Sequence, residues 1–332
     1  ERTAEIELGF EAALLGNRAA VNFTYYYQKT SDALFRVNQV PSSGYPGSRL
    51  TNVGQIDNRG IELASNAVVL AGRNLGWDLG FTVYTNHSRV LSLGGAPEFF
   101  IWPGAGNIAN PDTLPNGEVE YYSVPEITWD CVIASPTDST IQYYTSTVTG
   151  QPTIGADCHH GPNLPTTTLG FNTTIRLPKG IELSARGEFH GGHFILDLAS
   201  WNALRRGVQW PFCFEAYEAI DAGQAEQVST WLQSACIRAN VPQTGIGTFI
   251  YPADFFKVRE MSLRIPVTPI IPGSETATLM LSARNAIRWV NADFPLLDPE
   301  MMGNSGMLTP VRYMTEHIPQ AATFSASLRV LF

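Results

Sequence analysis

The closing stretch of the chain, A-T-F-S-A-S-L-R-V-L-F over 322–332, restricts the fold more than any other. Phe324, Ala326, Leu328, Val330 and Phe332 fall on one side of a two-residue repeat, and Thr323, Ser325, Ser327 and Arg329 on the other. Successive side chains of an extended strand point to opposite faces, so this period predicts a strand with one apolar and one polar face. Such a strand has two possible homes. In a soluble sheet the polar face meets water and the apolar face a core. In an outer-membrane barrel the apolar face meets acyl chains and the polar face borders a wet lumen.

The alternation recurs upstream. Thr3 to Leu14 sets Ala4, Ile6, Leu8, Phe10 and Ala12 against Glu5, Glu7, Gly9 and Glu11, and after Leu15-Gly16-Asn17-Arg18 the chain returns from Arg18 to Val37. Further strands are predicted from about Leu50 to Val69, Trp77 to Val90, Leu169 to Arg176, Ile181 to Phe189, Phe255 to Ile265 and Ala277 to Trp289. Parity slips between Val258 and Met261, which predicts a β-bulge. The links are short at Leu15–Arg18, Ala71–Asn74, Pro178–Gly180 and before Ala277, and long over 91–165, 199–254 and 291–319. Every short link falls at one end of the strands and every long one at the other, which is the plan of an up-and-down outer-membrane barrel. A secreted β-sandwich is the rival, but sandwich strands average about 5–6 residues and several here are about twice that.

The faces agree with a barrel. Glu5, Glu7, Glu11, Glu62, Glu182, Arg186, Glu188, Arg284, Arg288 and Arg329 share the polar sides. These charges would be costly in a dry core and are ordinary beside water. Charged residues are 15% of the chain, and no run of about 18 apolar residues offers a spanning helix. The net charge of −9 argues against a nucleic-acid partner, which needs a basic face. The chain opens at Glu1 without a leader, as expected of a processed chain or of a piece of a longer one. Four cysteines allow three pairings. The sequence-local one, Cys131–Cys158 with Cys213–Cys236, would staple two long loops in an oxidising compartment; unpaired thiols are the alternative.

Several segments resemble the C-terminal half of SusC/RagA-type TonB-dependent outer-membrane receptors. Glu1-Arg2-Thr3 followed by Glu5-Ile6-Glu7-Leu8-Gly9-Phe10 is similar to a strand opening of that family. Thr51-Asn52-Val53-Gly54-Gln55-Ile56-Asp57-Asn58-Arg59-Gly60-Ile61-Glu62-Leu63 is the most specific match. Gly170–Thr174, Arg259–Leu263, Ser282–Asn285, Leu297-Asp298-Pro299-Glu300 and the closing strand follow in family order. The resemblance implies an all-β, antiparallel up-and-down transmembrane β-barrel segment with long extracellular loops. Its roughly nine strands would belong to a larger plugged barrel of about twenty-two, whose plug, TonB-contacting segment and first strands lie outside this chain. It further implies TonB-dependent uptake of oligosaccharides or peptides, a SusD-like lipoprotein over the loops, a periplasmic C-terminus and Phe332 as the assembly signal. The competing function is a secreted β-rich carbohydrate-binding module.

No catalytic constellation is evident, and neither enzyme activity nor a cofactor is expected. His159-His160 beside Cys158 would diverge in an extended chain rather than chelate one metal ion. His190 and His193 would stand on opposite faces of a strand, and Glu182 and Glu188 are too far apart along one to act as a pair. The long loops are the candidate ligand surface. Trp102 and Trp129 lie in the first, and Trp201, Trp210 and Trp231 in the second. Their rings suit capture of a sugar or peptide by stacking, or else packing of the loops on one another.

Overall fold

In a computed structural model the expected strands form one nine-stranded antiparallel sheet. They are β1 Arg2–Leu14, β2 Ala19–Ser31, β3 Gln55–Ala71, β4 Gly76–Ser92, β5 Thr167–Arg176, β6 Glu182–Gly191, β7 Phe255–Pro266, β8 Thr276–Val290 and β9 Thr323–Leu331. The structure describes residues 1–38, 44, 47–96, 99–102, 106–114, 116–124, 126–129, 132–133, 142–143, 158–205, 213–224, 227–228, 236, 249–300, 313–314 and 318–332. Sheet order is chain order, so each strand pairs with its sequence neighbours and β1 and β9 form the two edges.

The register keeps the two faces apart. On one face Phe10, Phe23, Leu63, Val83, Leu169, Phe189, Phe256 and Trp289 form a continuous row across eight strands. No second layer covers this face among the described residues: Leu8 is 64% exposed, Leu183 43% and Phe324 73%. A soluble sandwich would have buried these groups. The opposite face is laced by polar contacts. Asn22 donates to Glu11 at 3.1 Å, the Ser184 and Ser262 hydroxyls meet at 2.7 Å, and Arg186 and Arg284 both reach Glu260, at 2.8 and 3.4 Å.

One glycine on the polar face is required by close approach. Tyr26 lies across Gly60, and its hydroxyl donates to the Thr85 carbonyl at 3.3 Å. A Cβ at position 60 would stand 1.9 Å from that carbonyl oxygen and 2.5 Å from the Tyr26 hydroxyl. Gly60→Ala should therefore destabilise the sheet by about 1–3 kcal/mol, the usual cost of overpacking. Denaturant unfolding of the refolded barrel, compared with Gly80→Ala, where the nearest atoms are the movable side chains of Asn172 and Asn66, would measure it.

The bulge falls where the parity slipped. Pairing jumps from Arg186↔Glu260 to Gly187↔Val258, leaving Arg259 without a partner in the ladder. On the other side β8 absorbs the extra residue with Asn285 at φ 53°. The strand expected from Arg18 to Val37 is two elements. Asp32 (φ 54°) breaks it, and Leu34–Asn38 turns off to pair with Ser48–Asn52 as a separate ribbon. The strand expected from Leu50 to Val69 breaks in the same way at Val53 and Gly54 (φ 92°), and Ala33 bonds both residues through its backbone.

The buried core lies in the loops rather than under the sheet. Phe194–Asp197 pairs antiparallel with Ile250–Pro252 and parallel with Tyr313–Met314. Around this small sheet Ile195, Tyr251, Ala253, Phe294 and Met314 bury one another. Two short helices, Leu198–Arg205 and Phe214–Asp221, occupy the second long excursion. The spacing of Val228, Leu232, Ala235 and Ala239 suits one face of a further short helix, of which only Val228 is among the described residues.

Candidate functional site at the long-loop rim

The bulge in β7 gathers charge at the long-loop end of the polar face. Lys257, only 2% exposed, donates to both carboxylate oxygens of Asp298 at 2.7 and 2.8 Å and also reaches Glu300. Arg259, released from the ladder, spans Glu188 on β6 and Glu300 in the last loop, with its Nη1 at 2.7 Å from Glu300. His190 approaches Glu188 at 3.2 Å. Burial would raise the Glu300 carboxyl, but the hydrogen bonds from Arg259 and then Lys257 prevail and hold it at about 2. This cluster clamps Asp298-Pro299-Glu300 onto the barrel wall. The bulge gave the sequence signal for Arg259; nothing in the pattern singled out Lys257, and the acidic pair was visible only within the resembling Leu297–Glu300 segment.

A second feature lies between β3, β4 and the first long loop. The stretch 120–124 continues the sheet beside β4, with Val90 N–H donating to the Tyr122 carbonyl and Val124 N–H to that of Ser88. A cavity of about 560 Å³ opens where this stretch meets the segment entering β5. Arg59, His87, Arg89, Glu120, Tyr121 and His160 are among its walls. Arg89 grips Asp57 through two hydrogen bonds, at 2.7 and 2.8 Å, and lies 4.7 Å from the centre of the Tyr121 ring. His159 stacks face to face on Tyr122, whose hydroxyl donates to Asp112 at 2.8 Å. Burial pushes the His159 imidazole down to about 4 against the opposing pull of Asp112, so it is neutral at physiological pH.

The aromatic candidates do not converge into one described site. Trp201 is half-buried in the helix Leu198–Arg205. Trp102 and Trp129 end the short strands Phe99–Trp102 and Glu126–Trp129, their side chains being outside the described set. Trp210, Trp231 and Cys131 lie outside the described residues. Cys158 begins the strand Cys158–Pro162. Cys213 and Cys236 form a disulfide across 23 residues, just before the helix Phe214–Asp221. Closing a loop of about this length contributes about 3 kcal/mol by chain entropy. Reduction, or Cys213→Ser with Cys236→Ser, should speed amide exchange in that helix while the β-sheet amides stay protected. Phe332 ends the chain, 78% exposed, just beyond β9.

The family model described as "TonB dependent receptor-like, beta-barrel" matches residues 1–188. The chain belongs to this receptor-barrel family. Receptor P26 of Formosa agariphila, also named as TonB-dependent, is 24% identical over 363 residues, covering 100% of this chain and 34% of that protein. The TonB-dependent receptor SusC of Bacteroides thetaiotaomicron is 25% identical over 107 residues, 32% of this chain and 11% of SusC. Among solved structures, a chain of the RagAB peptide transporter superposes with a TM-score of 0.65 at 16% identity, over 99% of this chain and 35% of that one. This receptor-barrel chain thus spans about a third of the length of the relatives it matches end to end. Its exposed apolar face is the lipid side of the barrel and its charged face the lumen side.

Proposed function

We propose that residues 1–332 are the C-terminal part of the barrel of an outer-membrane importer, which takes up oligosaccharides or peptides with energy delivered through TonB. The observation that carries this is the pairing of an uncovered apolar face with a charged, hydrogen-bonded opposite face, in a chain of this family. In this reading the loops 91–165, 199–254 and 291–319 face the exterior and the C-terminus the periplasm. A plug and the earlier strands complete the barrel against the β1 and β9 edges. A SusD-like lipoprotein covers the loops, and Trp102, Trp129, Trp201, Trp210 and Trp231 contact cargo or lid. Phe332 is read by the assembly machinery. The solved relative titled as the RagAB peptide transporter supports a peptide cargo, and the relative named as the TonB-dependent receptor SusC supports the coupling to TonB; the oligosaccharide cargo and the lipoprotein lid rest on the sequence resemblance alone.

The test uses the whole receptor in its native outer membrane. Deleting Phe332 should lower the folded, heat-modifiable fraction several-fold, and energy-dependent uptake of labelled oligosaccharide or peptide should fall in proportion. Normal insertion of the truncated receptor would refute the assembly role. A chain that stays monomeric and sugar-binding without detergent would replace the importer by a secreted binding module.

A further inference from the structure

The lipid side does not remain apolar up to the long-loop rim. Register is unbroken from Ile56 to Val68 against β4, so Arg59 and Asp57 stand on the same face as Ile61 and Leu63, and His87 and Arg89 on that of Val83. Tyr27 and Lys29 continue the two rows on β2. Below them the nine steps from Ile61 to Leu70 rise about 23 Å at about 3.3 Å per residue on a strand tilted about 40°. That nearly equals the apolar band of an outer-membrane barrel, about 25 Å. Arg59 and His87 therefore stand at the height of lipid headgroups, and the 560 Å³ cavity opens beside them.

Position decides what can reach this cavity. Cargo crossing the lumen meets the other face; a molecule standing in the membrane meets this one. Asp57 is engaged by Arg89, whereas the side chains of Arg59 and His87 have no hydrogen-bond or ion-pair partner among the described residues. Tyr121 presents a 42% exposed ring backed by the Arg89 guanidinium. Glu120 adds a carboxylate to the wall, which disfavours a bare anion and favours a group that also offers hydroxyl donors. We infer that the cavity binds the anionic sugar head of a glycolipid in the surrounding leaflet. Arg59 and His87 meet the anionic substituent, Tyr121 stacks on a sugar ring and Glu120 accepts from its hydroxyls.

The inference rests on the outer-membrane reading above. It is tested with the whole receptor in phosphatidylcholine vesicles, with and without a phosphorylated diglucosamine lipid (lipid A). The retained glycolipid is quantified by mass spectrometry after repurification. Wild-type receptor should retain it, and Arg59→Ala with His87→Ala, both solvent-exposed positions, should weaken retention about tenfold, or about 1.4 kcal/mol. Equal retention by the variant would overturn the assignment. So would displacement by inorganic phosphate or by a neutral soluble oligosaccharide at the same concentration. Failure of the receptor to insert at all would overturn the membrane reading along with the cavity; an inserted receptor that does not select the glycolipid would overturn the cavity alone.

Discussion

Replacing Lys257 with Met in the whole receptor will cost about 3–5 kcal/mol and release the last long loop. Lys257 and Asp298 are both nearly sealed from water, at 2% side-chain exposure each. Removing the cation leaves Asp298 charged, buried and short of its two shortest contacts, the costliest way to break such a pair. Glu300 retains Arg259, so the loop should open from its Asp298 end first. Limited proteolysis within 291–319 and the unfolding midpoint read the effect. Lys257→Met with Asp298→Asn, which removes both charges, should recover more than half of the loss. No gain in cleavage for the single variant would mean the clamp does not hold the loop. The clamp should also resist acid. Because the folded-state value of Glu300 is depressed to about 2, its contribution is complete above its ordinary value near 4.5 and is lost only as pH falls towards 2.

Leu281→Arg and Ser282→Arg, adjacent in β8, should differ sharply. Leu281 is exposed on the lipid side near the middle of its strand, while Ser282 faces the lumen and meets Ser325 at 2.7 Å. An arginine at mid-membrane on the lipid side costs about 2–4 kcal/mol, whereas the lumen substitution should stay within about 1 kcal/mol. Folding into bilayers, followed by denaturant titration, measures both. Equal penalties would mean that the two faces are assigned wrongly.

The transmembrane strands were legible because a lipid face and a water face impose strict alternation on every residue between them. The bulge was legible for the same reason, since Arg259 interrupts that alternation. Legibility ended at the rim. Once Leu34–Asn38 and Ser48–Asn52 leave the sheet as a ribbon, their faces no longer separate lipid from water. The helices Leu198–Arg205 and Phe214–Asp221 are too short to carry a readable stripe and are fixed by a disulfide and by packing among loops. The Lys257–Asp298 pair joins residues 41 apart, a contact that no local period encodes. The cavity at Arg59 required knowing that residues 120–124 return to lie along β4, which neither segment announces.

Because sheet order follows chain order, each long excursion begins and ends on adjacent staves, about 5 Å apart. Its anchoring points do not move when its length changes, and doubling a flexible insert adds only about 0.6 kcal/mol of closure entropy. The sequence and length of these excursions can therefore change while the wall stays untouched. Strands can likewise be gained or lost two at a time, as a hairpin, without rethreading the rest.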